Sequence, residues 1–243
     1  MVLMALLGGS LVCSPSLGTQ APVADNRVKA CEVPELRECT YNDFREAKAG
    51  GALVFLHGLD SSEGSPQFRS QRARLVDAAR QLGLLVVFPR GWQGALREQP
   101  NLEGWYPGYV REGDEALDAI RKWLHEFHGV PLNHVALAGF SNGAFLAARR
   151  LQSNPESFSG FYLLAGGEVT QKMPSSPGVA RVVMEIGDAD TFQRPKALAL
   201  ADHLRVAGYQ SETIRVVRHA GGHEMLGVDL VDNLRFILHL VPR

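Results

Sequence analysis

The sequence predicts an α/β protein with one mainly parallel sheet, and three observations support this prediction. Short apolar segments alternate with amphipathic ones from residue 52 to the end of the chain. The connections between them are short, as crossover units in a parallel sheet require. With 243 residues, of which 45% are hydrophobic and 21% charged, the chain is long enough for one large α/β domain and short for two.

The first predicted elements establish the alternation. A strand is expected at 37–44, and the wholly apolar run at 53–56 is typical of a strand buried on both faces. A helix follows at 67–82. Pro89 ends the next strand, at 84–88.

A second helix is predicted at 115–127, with Asp114 as its N-cap. Its apolar stripe follows the 3.6-residue period and consists of Leu117, Ile120, Leu124 and Phe127. A stripe of this kind indicates a helix that packs one face on the sheet.

The remaining elements continue the pattern. Strands are expected at 134–139, 161–164, 179–186 and 213–217, and helices at 143–152, 195–207 and 228–240. Such an order predicts helices on both faces of the sheet, with ligands bound at the carboxyl ends of the strands.

The beginning of the chain has a different character. Val2 to Val12 is apolar and uncharged, too short for a membrane span of about 20 residues but suited to the h-region of a secretory signal. We expect a signal peptide at 1–18, an N-terminal extension at 19–47 and the α/β domain at 48–243. Because no basic residue precedes Arg27, a cytosolic protein with an ordinary N-terminus is the alternative.

Cysteine usage favours export to the cell exterior or the periplasm over the cytoplasm. Once Cys13 leaves with the signal, Cys31 and Cys39 remain as a pair close enough to form a disulfide in an oxidising compartment. Two unrelated buried thiols are the alternative.

The segment Gly-Phe-Ser-Asn-Gly at 139–143 lies between a predicted strand and a predicted helix. A G-x-S-x-G in this context is typical of a nucleophile elbow, a tight turn that exposes the serine hydroxyl above the sheet. The glycines leave room beside Ser141 that Cβ atoms would fill. Ser141 is therefore the candidate nucleophile.

A serine nucleophile needs a base, and the base needs an acid that orients it. His223 follows the last strand within Gly-Gly-His-Glu, and Asp188 and Asp190 follow the strand at 179–186. We favour Asp190 as the acid because it lies further into the loop, and Asp188 remains the alternative. The order Ser, Asp, His is that of the α/β-hydrolase fold.

The run Leu-His-Gly-Leu-Asp-Ser-Ser at 56–62 follows the first core strand. An oxyanion hole takes one backbone amide from the residue after the nucleophile and one from this loop. The candidate donors are the amides of Asn142 and Leu59. We expect His57 to brace the loop and not to act as a base.

These motifs, with Gly-Trp-Tyr at 104–106, resemble the phospholipase/carboxylesterase group of α/β-hydrolases, which includes the acyl-protein thioesterases. The resemblance extends from Leu53 to the C-terminus. It implies an α/β-hydrolase fold without a large cap domain, and a serine ester hydrolase with the triad Ser141, Asp190 and His223. The family usually has Gln where this chain has Asn142, and Val-Pro after the acid where this chain has Thr-Phe at 191–192.

The secreted polyester depolymerases and the feruloyl esterases are related enzymes with a similar elbow. The resemblance therefore does not restrict the substrate to the esters of one class. The expected substrate is thus a small-molecule or lipid ester, and a catalytically silent hydrolase-fold binding protein is the non-enzyme alternative. Trp105 and Tyr106 in the long Gly-rich loop either line a substrate pocket or cover the edge of the core.

Other features argue for no further partner. The net charge of −1 gives no reason to expect nucleic acid or an anionic membrane surface, and no stretch predicts stable membrane insertion. No phosphate loop or dinucleotide fingerprint is present, so no cofactor is expected. His125 and His128 are interpreted as surface residues and not as metal ligands. The sequence does not predict an oligomeric state.

Overall fold

The structure, a computed structural model, describes residues 28–46, 50–60, 64–171 and 179–240. The predicted signal peptide and the residues Ser61 and Ser62 lie outside the described residues. An eight-stranded sheet forms the centre of the molecule, in the order β1-β2-β4-β3-β7-β8-β9-β10. Its strands are β1 (Lys29–Ala30), β2 (Cys39–Asp43), β3 (Ala52–Leu56), β4 (Leu85–Pro89), β7 (Val135–Phe140), β8 (Gly160–Leu164), β9 (Arg181–Gly187) and β10 (Ile214–His219).

The sheet is parallel from β4 to β10, whereas β1 and β2 pair antiparallel at one edge. A separate two-stranded ribbon consists of β5 (Trp92–Gln93) and β6 (Glu103–Gly104). The helices are α1 (Pro66–Leu82), α2 (Val110–His128), α3 (Asn142–Ser153), α4 (Gln193–Val206) and α5 (Leu230–Ile237). The predicted alternation and the mainly parallel sheet are confirmed.

Helices cover both faces of the sheet. Alternate strand residues divide between two cores: Val54 and Leu56 pack with α2, α3 and α4, whereas Leu53 and Phe55 pack with α1 and α5. Every residue of β3, β4, β7 and β8 is buried, as expected for strands covered on both sides.

Local signals in the sequence account for the bounds of α1. The Ser65 hydroxyl accepts a hydrogen bond from the Phe68 N–H (3.1 Å), and Pro66 occupies the first turn. Gly83 ends the helix with a left-handed φ of 64°.

Two predictions for α2 are wrong. The helix begins at Val110, so Asp114 lies inside it and pairs with Arg149 instead of capping it. Phe127 does not join the buried stripe, because 68% of it is exposed.

The order of the sheet fixes the place of the site. From β3 the chain passes to β4 on one side and, later, to β7 on the other. The carboxyl ends of β3 and β7 therefore flank the point where the strand order reverses, which is where ligands bind in open α/β sheets.

Candidate active site

Ser141 stands in a strained turn between β7 and α3. Its φ of 51° and ψ of −113° are unusual for a residue with a side chain. The Ser141 N–H donates to the Leu164 carbonyl (2.9 Å), and the Phe145 N–H donates to the Ser141 carbonyl (3.2 Å). These two hydrogen bonds connect the turn to β8 and to α3.

The two glycines of the elbow are required for close packing. A Cβ at Gly139 would lie 2.4 Å from the Gly143 carbonyl oxygen, and one at Gly143 would lie 2.3 Å from the Leu56 carbonyl oxygen. Neither position has space for a side chain. The turn therefore packs directly against β3 and presents Ser141 above the sheet.

The structure brings Ser141, His223 and Asp190 together in one hydrogen-bonded chain. His223 Nε2 lies 2.8 Å from Ser141 Oγ, and His223 Nδ1 lies 2.7 Å from Asp190 Oδ2. Three separate strand ends, those of β7, β9 and β10, supply these side chains.

Asp190 is buried and its charged form is hydrogen-bonded. Its other carboxylate oxygen accepts the N–H of Gln193 (2.9 Å) and that of Phe192 (3.3 Å). Burial alone would raise the pKa of Asp190, but these donors and the His223 imidazole outweigh it, and the pKa is lowered. The carboxylate therefore stays ionised beside the histidine.

Asp188, the alternative acid, has a different environment. Its carboxylate pairs with the Arg218 guanidinium (2.6 Å) on the surface. The structure does not bring Asp188 to His223.

The loop that carries His223 crosses the end of β9. A Cβ at Gly187 would lie 2.1 Å from the Gly222 carbonyl oxygen, so a glycine is needed there. After His223, the N–H groups of Leu226 and Gly227 each donate to Glu185 Oε1 (2.9 Å).

Glu185 is fully buried, and its second oxygen accepts a hydrogen bond from the Tyr162 hydroxyl (2.6 Å). This anchor was not predicted from the sequence. A charged residue within the apolar strand 181–187 was the available signal.

The two predicted oxyanion donors, the amides of Asn142 and Leu59, follow the elbow serine and β3 respectively. Asn142 is the first residue of α3, so its N–H has no acceptor within the helix. The Leu59 N–H donates to none of the residues that the structure describes. Within the described residues, neither N–H is thus used by another protein acceptor, as the predicted oxyanion role requires.

His57 braces the loop through both ring nitrogens. Nε2 accepts the N–H of Gly91 (2.9 Å), so the proton lies on Nδ1, which donates to the Gly58 carbonyl (2.5 Å). Burial, together with the charge of Arg90, lowers the pKa of His57 to about 4. The ring is thus a neutral structural group.

The Asn142 side chain holds the segment 104–106, a role that the sequence did not reveal. Its Oδ1 accepts the N–H groups of Trp105 (2.5 Å) and Tyr106 (3.0 Å), and its amide donates to the Tyr106 carbonyl. The residue that carries one predicted oxyanion amide therefore also fixes the neighbouring loop.

The assignment of Trp105 to a substrate pocket is wrong. Trp105 is fully buried, with its ring against His57 and Trp92 (centroids 5.8 and 5.4 Å apart). Through its contact with His57, it packs against the loop that follows β3. Tyr106 is only partly buried and stacks on Phe145.

Three further features of the described residues concern metal binding, a cavity and membrane spans. No group of three or more histidine, cysteine or acidic residues able to hold a metal occurs in the described part of the chain. A cavity of about 440 Å³ lies between α1 and the start of α5, and Ser141 does not line it. No helix within the described ranges is long and apolar enough to cross a membrane.

Comparison with solved structures identifies the fold. A carboxylesterase from Mesorhizobium loti superposes with a TM-score of 0.66 at 19% identity, covering 86% of this chain and 98% of that one. A ferulic acid esterase gives 0.64 at 18% identity (88% and 97% covered), and the Bacillus cereus carboxylesterase gives 0.58 at 17% (84% and 94%).

No family profile matches the sequence, and no curated protein matches it. These structural similarities, together with the sheet order and the helices on both faces, show that the chain has the α/β-hydrolase fold.

Proposed function

We propose that this protein is a serine hydrolase that cleaves carboxylic esters without a cofactor. The observation that carries the proposal is the continuous hydrogen-bonded chain from Asp190 through His223 to Ser141. The fold neighbours named as carboxylesterases and esterases are consistent with this activity.

In the first half of the reaction, Ser141 Oγ attacks the ester carbonyl carbon while His223 Nε2 takes the hydroxyl proton. Asp190 holds the imidazole and stabilises its cationic form. The N–H groups of Leu59 and Asn142 stabilise the oxyanion, a contribution worth about 3–4 kcal/mol for one donor in comparable sites. His223 then protonates the leaving alcohol, and an acyl-enzyme remains.

In the second half, His223 removes a proton from water, which attacks the acyl-enzyme through the same oxyanion hole. The acid leaves and Ser141 regains its proton. The proposed substrate is a small-molecule or lipid ester, and a thioester meets the same requirements because its carbonyl presents the same geometry.

Labelling with a fluorophosphonate tests the proposal, because this probe reacts only with an activated serine. We expect labelling of the folded wild-type protein and none of Ser141→Ala. If folded wild-type protein is not labelled, the chain is a hydrolase-fold binding protein and not an esterase.

We further propose that the protein is exported. The disulfide between Cys31 and Cys39 supports this, since such bonds persist in oxidising compartments. Fractionation of the native cells tests it: recovery only from the cytosolic fraction would contradict export.

A further inference from the structure

Four side chains form a surface beside Ser141 that the catalytic steps do not use. We call it the aromatic rim, and it consists of Tyr106, Phe145, Phe192 and Lys196. The Tyr106 and Phe145 rings stack with centroids 6.0 Å apart. Lys196 Nζ lies 5.2 Å from the Phe145 centroid and 4.7 Å from the Phe192 centroid.

Each ring of the aromatic rim belongs to a residue that is hydrogen-bonded to the candidate active site. The Phe192 N–H donates to Asp190, the Phe145 N–H to Ser141 and the Tyr106 N–H to Asn142. Contacts through the rim residues therefore connect Asn142 with Asp190. The hydrogen bonds of the triad then connect Asp190 through His223 with Ser141. Phe145 is four residues from Ser141 and Phe192 is two residues from Asp190, so the rim residues lie at the sheet edge that carries the triad.

Phe192 is the exposed member of the rim. It is 68% exposed, although it directly follows the acid loop of the triad. Lys196 beside it pairs with Glu168 (3.4 Å), whose negative charge also acts on the Tyr106 hydroxyl. Burial and the Glu168 charge raise the pKa of Tyr106, so its hydroxyl stays protonated. The rim thus presents the exposed ring of Phe192 next to the Lys196 ammonium group, which pairs with Glu168.

We propose, on the basis of the esterase function proposed above, that the aromatic rim binds an aromatic ring of the ester substrate. Aromatic rings attract one another in stacked and edge-to-face arrangements beyond the area they bury, and a cation adds to this attraction. The contribution of one ring corresponds to about a 2- to 10-fold effect on binding. A saturated ring of similar size lacks this contribution.

The test compares two esters with the same number of carbon atoms, methyl benzoate and methyl cyclohexanecarboxylate, by titrating the acid released. Phe192→Leu keeps an apolar side chain and removes the ring. We expect the ratio of kcat/KM for the benzoate to that for the saturated ester to fall by about 2- to 10-fold relative to wild type. The intrinsic reactivity of each ester cancels in this comparison.

A second pair, phenyl acetate and cyclohexyl acetate, distinguishes an aromatic acyl group from an aromatic alcohol. The inference holds if the ratio falls for either pair. Phe127→Leu is the matched control, because Phe127 is also 68% exposed but lies near the end of α2. It should change neither ratio.

The outcomes separate this inference from the esterase proposal. If all four esters resist hydrolysis and the fluorophosphonate does not label Ser141, the esterase function fails and the inference fails with it. If the wild type is active through Ser141 but both ratios are equal in Phe192→Leu and wild type, only the aromatic specificity is overturned. Wild-type activity that excludes both aromatic esters would also overturn it.

Discussion

Ser141 has a positive φ, a backbone conformation that residues with a side chain seldom adopt. The surroundings hold this conformation through the hydrogen bonds of the Ser141 backbone to Leu164 and Phe145. The sequence motif was sufficient to predict this arrangement, because its two glycines mark the positions where the backbone packs too closely for a Cβ, although the contact at Gly143 comes from Leu56 in β3.

Ser141→Ala should abolish esterase turnover and leave the fold unchanged. Removal of the nucleophile of a cooperating triad costs about 10⁴- to 10⁶-fold in kcat. Ester hydrolysis and the melting temperature should be measured together. Ser153→Ala, in an exposed position of the same helix, is the control and should remain active. More than a tenth of wild-type activity in Ser141→Ala would show that another residue is the nucleophile.

Asp190→Asn should lower kcat by roughly 10⁴-fold, because it removes the charge that orients and stabilises the His223 imidazole. Asp188→Asn is the matched comparison, two residues away and paired with Arg218 on the surface. It should leave kcat within a few-fold of wild type. The opposite ranking in parallel kinetics would assign Asp188 as the acid.

Among individual residues, the sequence was informative where a role depends on near neighbours and silent where it depends on distant contacts. Motifs and loop order were enough to nominate the three residues that the structure brings together. Asn142 was nominated only for its backbone amide, because its side-chain partners lie 36 and 37 residues away. Glu185 was missed for the same reason, since it anchors a loop 41 residues further along.

At the scale of elements, the segment 104–106 connects the two loops that carry the proposed oxyanion donors. Asn142 holds one end of it, and Glu103, immediately before it, exchanges backbone hydrogen bonds with Asp60 (3.1 and 2.8 Å). Arg90 pairs with the buried carboxylates of both Asp60 and Glu103. The amides of Leu59 and Asn142 are therefore positioned through one connected set of bonds.

Asn142→Ala should separate this positioning role from substrate binding. The variant retains the residue 142 amide but leaves the Trp105 and Tyr106 N–H groups without their acceptor, at a cost of about 1–3 kcal/mol each if they stay buried. We expect a fall in kcat with a smaller change in KM, because the oxyanion forms only in the transition state. Asn142→Asp, which keeps the acceptor oxygen, should recover part of the lost kcat.

Equal activity in Asn142→Ala and wild type would show that segment 104–106 does not position the hole. A matching loss of kcat and stability in both variants would assign the side chain a purely structural role.

The elements themselves were predicted within a few residues where apolar periodicity dominated, as in β3, α1 and α3. The prediction failed at the start of α2, because the glycines of 91–113 were interpreted as loop residues. Gly113 lies within α2, and Leu146 packs against it. A Cβ at position 113 would lie 2.7 Å from Leu146 Cδ2, so the contact requires a glycine. A glycine selected for helix packing has no local signature that distinguishes it from a turn glycine.

Over the whole molecule, His57 makes stability depend on pH. Its pKa is lowered to about 4 in the folded protein from an ordinary value of 6.5. Between these values the unfolded chain binds a proton that the folded one does not, so stability falls as the pH decreases from 6.5 toward 4. The full effect amounts to about 3 kcal/mol.

Urea unfolding at pH 7 and at pH 4.5 measures this dependence. His57→Gln, whose amide can still accept and donate, should show a smaller loss of stability between the two pH values than wild type. An identical loss in both proteins would exclude His57 as its source.

The disulfide should contribute to stability without affecting catalysis. Its cysteines are separated by eight positions, so the loop it closes is short, and the expected stabilisation is at the lower end of about 2–4 kcal/mol. The Cys31→Ser/Cys39→Ser double variant should melt at a modestly lower temperature and hydrolyse esters at the wild-type rate at room temperature. A large loss of activity would place this region in the active site after all.

The same disulfide lies at a sheet edge, and both edges of this sheet are protected against pairing with another chain. At one edge, β1 is the two-residue strand Lys29–Ala30. The disulfide links Cys31, the residue after β1, to Cys39, the first residue of β2. At the other, β10 presents the exposed Arg215 and Arg218. Short edge strands and edge charges oppose strand-to-strand association. Reduction would therefore expose β2 as a template for aggregation, and long-term solubility would depend on the redox state of the medium.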